Sequence, residues 1–141
     1  MEGNRKLFRA VIAGAAMVWM PLLIWSAPWA RAEAPAEREV VVSISDAFIP
    51  SGFDVNSESY VVVNGLYPNG CYRWKAAAVA SDETGLTHEV RSLATVRSGM
   101  CLTVLVPFTQ EVKLGKLRAG DHAVRFMNGD GTYLEKHLVV Q

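Results

Sequence analysis

The stretch KLRAGDHAVRFMNGDGTYLEKHLVV, residues 116–140, is the part of the chain whose reading decides the fold. Two runs in which apolar residues recur at every second position flank a cluster of Asn128, Gly129, Asp130 and Gly131. A period of two is the mark of a half-buried strand, and the cluster supplies the turn chemistry of a hairpin. On the first run His122 is in step with Val124 and Phe126, whereas Asp121 and Arg125 take the other face. On the second run Leu134, Leu138 and Val140 share a face, and His137 is in step with Glu135. A metal ion shared by His122 and His137 would need the two directly opposite, with Cα atoms about 4.5–5.5 Å apart. Pairing apolar face with apolar face moves the register one residue away from that arrangement. His122 is therefore expected to point inward and His137 outward, and no shared ion is expected.

Working outward, the same period recurs. EVVVSIS (39–45), SYVVVNG (59–65), CYRWKAAAV (71–79), LTHEVRSLATV (86–96), CLTVLV (101–106) and EVKLGKL (111–117) each suit a strand. Turn residues punctuate them at intervals of about ten residues, as in small all-β domains, around Pro50, Pro68, Gly85, Gly99 and Gly129. Segment 46–58 is the least regular and suits an edge strand or a bulge. About seven short antiparallel strands at this spacing predict an all-β sandwich.

Residues 117–124, LRAGDHAV, sharpen that expectation. The stretch resembles the corner that opens the sixth strand of immunoglobulin-like and fibronectin-III-like sandwiches, where Leu, a Pro or similar residue, Gly and Tyr precede an alternating strand. In that family the tyrosine hydroxyl bonds to the backbone a few residues upstream and pins the connection between sheets. Here Leu117 and Gly120 keep their places, Ala119 replaces the Pro, and His122 stands where the tyrosine would be. An imidazole N–H can make a comparable bond to a carbonyl, so the resemblance implies a structural corner of Leu117, Gly120 and His122. It implies a small secreted bacterial sandwich and nothing about function. The cysteine spacing departs from antibody domains, because position 124 is Val and Cys101 precedes the sixth strand.

The first residues change the arithmetic of the rest. Arg5, Lys6 and Arg9 precede an uncharged run from Ala10 to Ala30, followed by the small-residue triplets Ala30-Arg31-Ala32 and Ala32-Glu33-Ala34. Basic residues, an apolar middle and a small-x-small exit predict a signal peptide over 1–32. A retained anchor is the alternative, since about 20 apolar residues can span a bilayer. Residues 33–38 are expected to form a flexible leader, and 39–141 the immunoglobulin-like domain. Cleavage would leave one domain's length of chain, slightly acidic although the whole sequence is neutral. Without a basic stripe, nucleic acid is not an expected partner. The two cysteines, Cys71 and Cys101, both lie in the exported part, where a disulfide is the default.

Candidates for chemistry are few. No Gly-x-Ser-x-Gly elbow, His-Glu-x-x-His pair or phosphate-cradling glycine loop occurs. His88, between Thr87 and Glu89, reads as a surface strand histidine. Tyr72 and Trp74 alternate with cations and read as core anchors. Tyr67, Pro68 and Asn69 place an aromatic beside a turn, where sandwiches display binding loops, and form the candidate binding site. The expectation is a periplasmic or secreted, non-enzymatic binding module without a cofactor or resident metal. Its partner would be another envelope or extracellular protein, met through loops or an edge strand. A secreted enzyme inhibitor is a narrower version. The alternative of another class is a small metal-binding or redox protein using His88, His122 or His137 with Met100 and the thiols.

Overall fold

A computed structural model describes residues 36–141; the expected signal peptide lies outside them. Eight strands run through these residues. They are β1 (Glu37–Val41), β2 (Asp46–Phe48), β3 (Glu58–Tyr67), β4 (Tyr72–Ser81), β5 (Thr87–Arg97), β6 (Val106–Lys116), β7 (Gly120–Met127) and β8 (Tyr133–Val140). The all-β sandwich expected from the alternating pattern is present, with eight strands in place of about seven. Glu37 and Arg38, assigned above to a flexible leader, already belong to β1 and pair with Arg97 and Val96 of β5.

Five strands build the larger sheet, in which β4 lies on one edge of β5. The other edge of β5 is shared end to end, by β7 along Thr87–Arg91 and by β1 along Leu93–Arg97. β8 continues the sheet beyond β7. The β5–β7 pairing is parallel, the one departure among the named strands from an antiparallel arrangement. The smaller sheet has the order β2-β3-β6.

The chain passes from one sheet to the other after β1. The Val42 N–H still donates to the Ser92 carbonyl of the larger sheet at 2.9 Å, and the Ser45 N–H donates to the Asn64 carbonyl of the smaller one at 2.7 Å. Val42 and Ile44 are buried on the way. Between the sheets, Val61, Val63, Phe108 and Val112 from one side meet Val90, Ala94, Val124, Phe126 and Leu138 from the other. Burying such branched and aromatic side chains removes about 25 cal/mol for each Å² taken from water, and this drives the two layers together. Trp74 and Tyr72 lean across from β4 onto Phe108 and Tyr67, with ring centroids 5.8 Å apart in each pair. Gly65 makes room for this aromatic stack, because a Cβ there would lie 2.4 Å from Phe108 Cζ.

Two of the runs read as strands behave otherwise. CLTVLV (101–106) is irregular up to Leu105, and β6 begins at Val106, passes through Pro107 and absorbs the run EVKLGKL. Pro107 does not end the strand because β6 is an edge strand, where a missing N–H leaves no ladder bond unmade.

Candidate functional site

Two features bring chemically distinctive residues together: a chain of polar side chains running in from one end of β4, and an apolar loop fixed by the disulfide.

The polar chain starts from strand register. Ser81 at the end of β4 lies opposite His88 of β5. Beyond it, Asp82 closes the turn to β5. Its Oδ1 accepts the Leu86 and Thr87 N–H groups at 3.2 Å each, and Thr84 Oγ1 lies 2.8 Å away. Those hydrogen bonds, the Thr84 hydroxyl first, hold the Asp82 carboxyl down at about 2. His88 is 2% exposed, so it is no surface histidine; it shares the buried face of β5 with Val90, Ser92 and Ala94. Its Nδ1 lies 2.8 Å from Ser81 Oγ, and its Nε2 lies 3.0 Å from Nδ1 of His122. His122 is fully buried, and its Nε2 is 2.8 Å from the Arg118 carbonyl.

The carbonyl sets the direction of the whole chain, because it can only accept. His122 Nε2–H donates to it, which leaves His122 Nδ1 as the acceptor for His88 Nε2–H. His88 Nδ1 then accepts the Ser81 hydroxyl. Every ring nitrogen has one partner, as buried polar groups require. Burial first, then the neighbouring His122, pushes the His88 imidazole below its ordinary value, and Asp82 opposes this in part.

The corner that holds His122 has its own bracing. Gly120 adopts φ 137°, a left-handed backbone that side-chain-bearing residues rarely take. Leu117 is half-buried against the core, the Arg118 guanidinium donates to the Thr84 carbonyl, and the Ala123 N–H donates to the Leu86 carbonyl at 2.8 Å. His137 lies elsewhere. Ala123, not His122, is its partner across the hairpin, and its ring sits in solvent with Nδ1 3.1 Å from Asp121 Oδ1. Among the described residues, no three His, Cys, Asp or Glu side chains converge as a metal-holding group.

The apolar loop joins β5 to β6. Cys71 and Cys101 form a disulfide with Cα atoms 5.3 Å apart. The Gly70 N–H donates to the Leu102 carbonyl at 3.0 Å, so the 68–71 turn and the loop are bound twice. Around these ties Met100, Leu102, Val104 and Leu105 turn outward, with exposures of 105%, 76%, 55% and 66%. A run of four such residues facing water is the feature of this surface that asks for an explanation.

The residues proposed above as a binding loop divide. Tyr67 is only 4% exposed and stacks on Phe108 with centroids 4.4 Å apart, so its ring is core and not loop. Burial pushes its phenol up, and the hydroxyl has no partner among the described residues. Asn69 is spent on the turn, its Oδ1 accepting the Cys71 N–H at 2.9 Å. Pro68 is exposed. Next in space, Leu102, Val104 and Leu105 were not singled out in the sequence because a mainly apolar run also reads as a buried strand, and Met100 was weighed only as a metal or redox residue.

Two sheets packed face to face over one core, with a braced loop at their margin, define a β-sandwich domain. The chain belongs to the ORF11 beta-sandwich domain family, whose model matches residues 61–137. That span begins in β3 and ends in β8, and holds both the histidine chain and the apolar loop. Neither a curated protein nor a solved structure matches the chain.

Proposed function

We propose that this chain is an exported, non-enzymatic binding module that docks on another envelope or extracellular protein through the 100–105 loop. The observation that carries the reading is the outward set of Met100, Leu102, Val104 and Leu105 on a segment tied down by the Cys71–Cys101 bond and by Leu102's backbone. A backbone already held in place loses little conformational entropy on binding, so burial of the apolar side chains it carries goes further toward affinity. Residues 98–110 contain no charged side chain. Such a loop lacks the lysines and arginines that draw a segment to anionic headgroups, which favours a protein with an apolar pocket over a lipid surface. Export is supported by the leader-like residues 1–32 and by a disulfide, a bond suited to oxidising compartments. The corner of Leu117, Gly120 and His122 supports kinship with the immunoglobulin-like and fibronectin-III-like sandwiches.

The test compares the wild-type chain with a Leu102→Asp, Leu105→Asp double variant in capture from native envelope extract. Both residues face water, so folding should persist, checked by an unchanged melting temperature. A protein retained by the wild type and lost by the variant supports the reading; equal capture by both overturns it. Binding of the wild type to phosphatidylglycerol vesicles, abolished in the variant, would move the loop to a membrane role. If the retained protein is an enzyme that loses activity, the narrower inhibitor reading follows. Covalent labelling of Ser81 by a fluorophosphonate would overturn the non-enzymatic clause, because the serine, His88 and His122 have the connectivity of nucleophile, base and orienting group.

A further inference from the structure

We infer that β4 is a self-pairing edge, and that two copies of this chain join their larger sheets antiparallel about a two-fold axis at Ala78. The surface is distinct from the apolar loop, and the inference does not rest on it.

Among the described residues β4 pairs only with β5, so its outer edge carries no ladder. Proteins usually blunt such edges with charges, prolines, bulges or covering segments. The first half of β4 has such devices: the register shifts between Trp74 and Ala76, and the bulged Lys75 reaches Glu39. The second half has none. From Ala76 to Ser81 the sequence is AAAVAS, and only Ala77 is half-buried while its neighbours are exposed. Among the described residues this is a stretch of small and uncharged side chains with an open side.

The backbone sets which residues can pair outward. The Asp82 N–H donates to the Thr87 carbonyl at 3.0 Å, so position 82 bonds toward β5. Antiparallel ladders alternate. Positions 76, 78 and 80 therefore spend their N–H and C=O groups on β5, and Ala77, Val79 and Ser81 direct theirs outward. An axis at Ala78 sets Ala77 opposite Val79 of the second copy, and both are outward-bonding residues. Each of these two pairs exchanges two hydrogen bonds.

Charge selects the same arrangement. Arg73 and Lys75 occupy the start of β4, and Asp82 and Glu83 follow its end. An antiparallel copy brings the cationic end against the acidic end, with Arg73 level with Glu83. Opposite charges across strands stabilise a pairing and like charges oppose it. A parallel copy would stack like on like. The partner that fits this edge is therefore the chain itself, and the product is a continuous sheet of ten strands, five from each copy.

Sedimentation velocity of the exported chain is expected to show a concentration-dependent dimer. Ala78→Lys and Ala78→Glu each put like charges face to face on the axis and should weaken association about tenfold or more, while an equimolar mixture of the two should restore it. A non-hydrogen-bonded pair at the axis has Cα atoms about 4.5 Å apart, within disulfide range. Ala78→Cys should therefore cross-link to its copy on oxidation, and Ala80→Cys, which would face Ala76, should not. A wild-type chain that stays monomeric at about 1 mM, well above any useful affinity, overturns the inference. So does an Ala78→Lys variant that remains dimeric, or cross-linking through position 80 in place of 78.

Discussion

Arg118 contributes to the fold with its main chain as much as with its side chain. Its carbonyl ends the run Ser81–His88–His122, and removing His122 leaves that carbonyl and the buried His88 ring each without a partner. His122→Ala strands His88 Nε2–H and opens a cavity under β7, and should cost about 3 kcal/mol in chemical denaturation. A loss below about 1 kcal/mol, the value of an ordinary exposed hydrogen bond, would mean that water or a rearranged His88 replaces it. The same chain makes stability depend on pH. His88 is held below its ordinary value of 6.5 in the folded protein. Its contribution is fully present above 6.5 and declines as pH falls from there toward the depressed value, because the unfolded chain takes up the proton first. The denaturation midpoint should therefore drop on acidification through that window, and His88→Gln should flatten the drop. Asp82, lowered to about 2, adds a second decline as pH falls below the ordinary aspartate value of 3.8. The inward place of His122 was legible in the sequence from parity with Val124 and Phe126. Parity with Val90 and Ala94 would have placed His88 inward too. Its charged neighbours Glu89 and Arg91 masked that signal, although they belong to the opposite face of β5.

Among the elements, the 98–105 loop departs furthest from what its residues suggest. Thr103 and Val104 have strand propensity and Leu102 and Leu105 are apolar, yet among the described residues no strand pairs with them, and the Cys71–Cys101 bond holds them where the ladder does not reach. Propensity reports how a residue fits a pleated, half-buried surface and cannot report that the surface is missing. In the chain-entropy account, a bridge across 30 residues stabilises by about 3.5 kcal/mol. A Cys71→Ala, Cys101→Ala variant should lose stability of that order, and limited proteolysis should cut it first between residues 98 and 105. A variant as resistant to protease as the wild type would show that the Gly70 to Leu102 hydrogen bond suffices. The hairpin of β7 and β8 stands at the other extreme. Its register, with His122 opposite Leu138, is the one that matches apolar faces, so local pattern and global packing agree there.

At the scale of the molecule, alternation and turn spacing were enough for the class, and the order of strands was not. Nothing in the residues of β5 announces that it runs parallel to β7 or that β1 and β7 divide one of its edges, because those pairings join segments far apart in sequence. The resulting layout makes β5 the spine of the larger sheet. Thr87–Arg91 lies between β4 and β7, and Leu93–Arg97 between β4 and β1. In a strand paired on both sides the amides alternate between the two neighbours, and each is released only when the neighbour it bonds detaches. In deuterated buffer the β5 amides should therefore be among the last to exchange, at a rate set by global unfolding, whereas β2, three residues long and laddered on one side, should exchange early. The strand that bears His88 on its inner face would thus also record the opening of the entire fold.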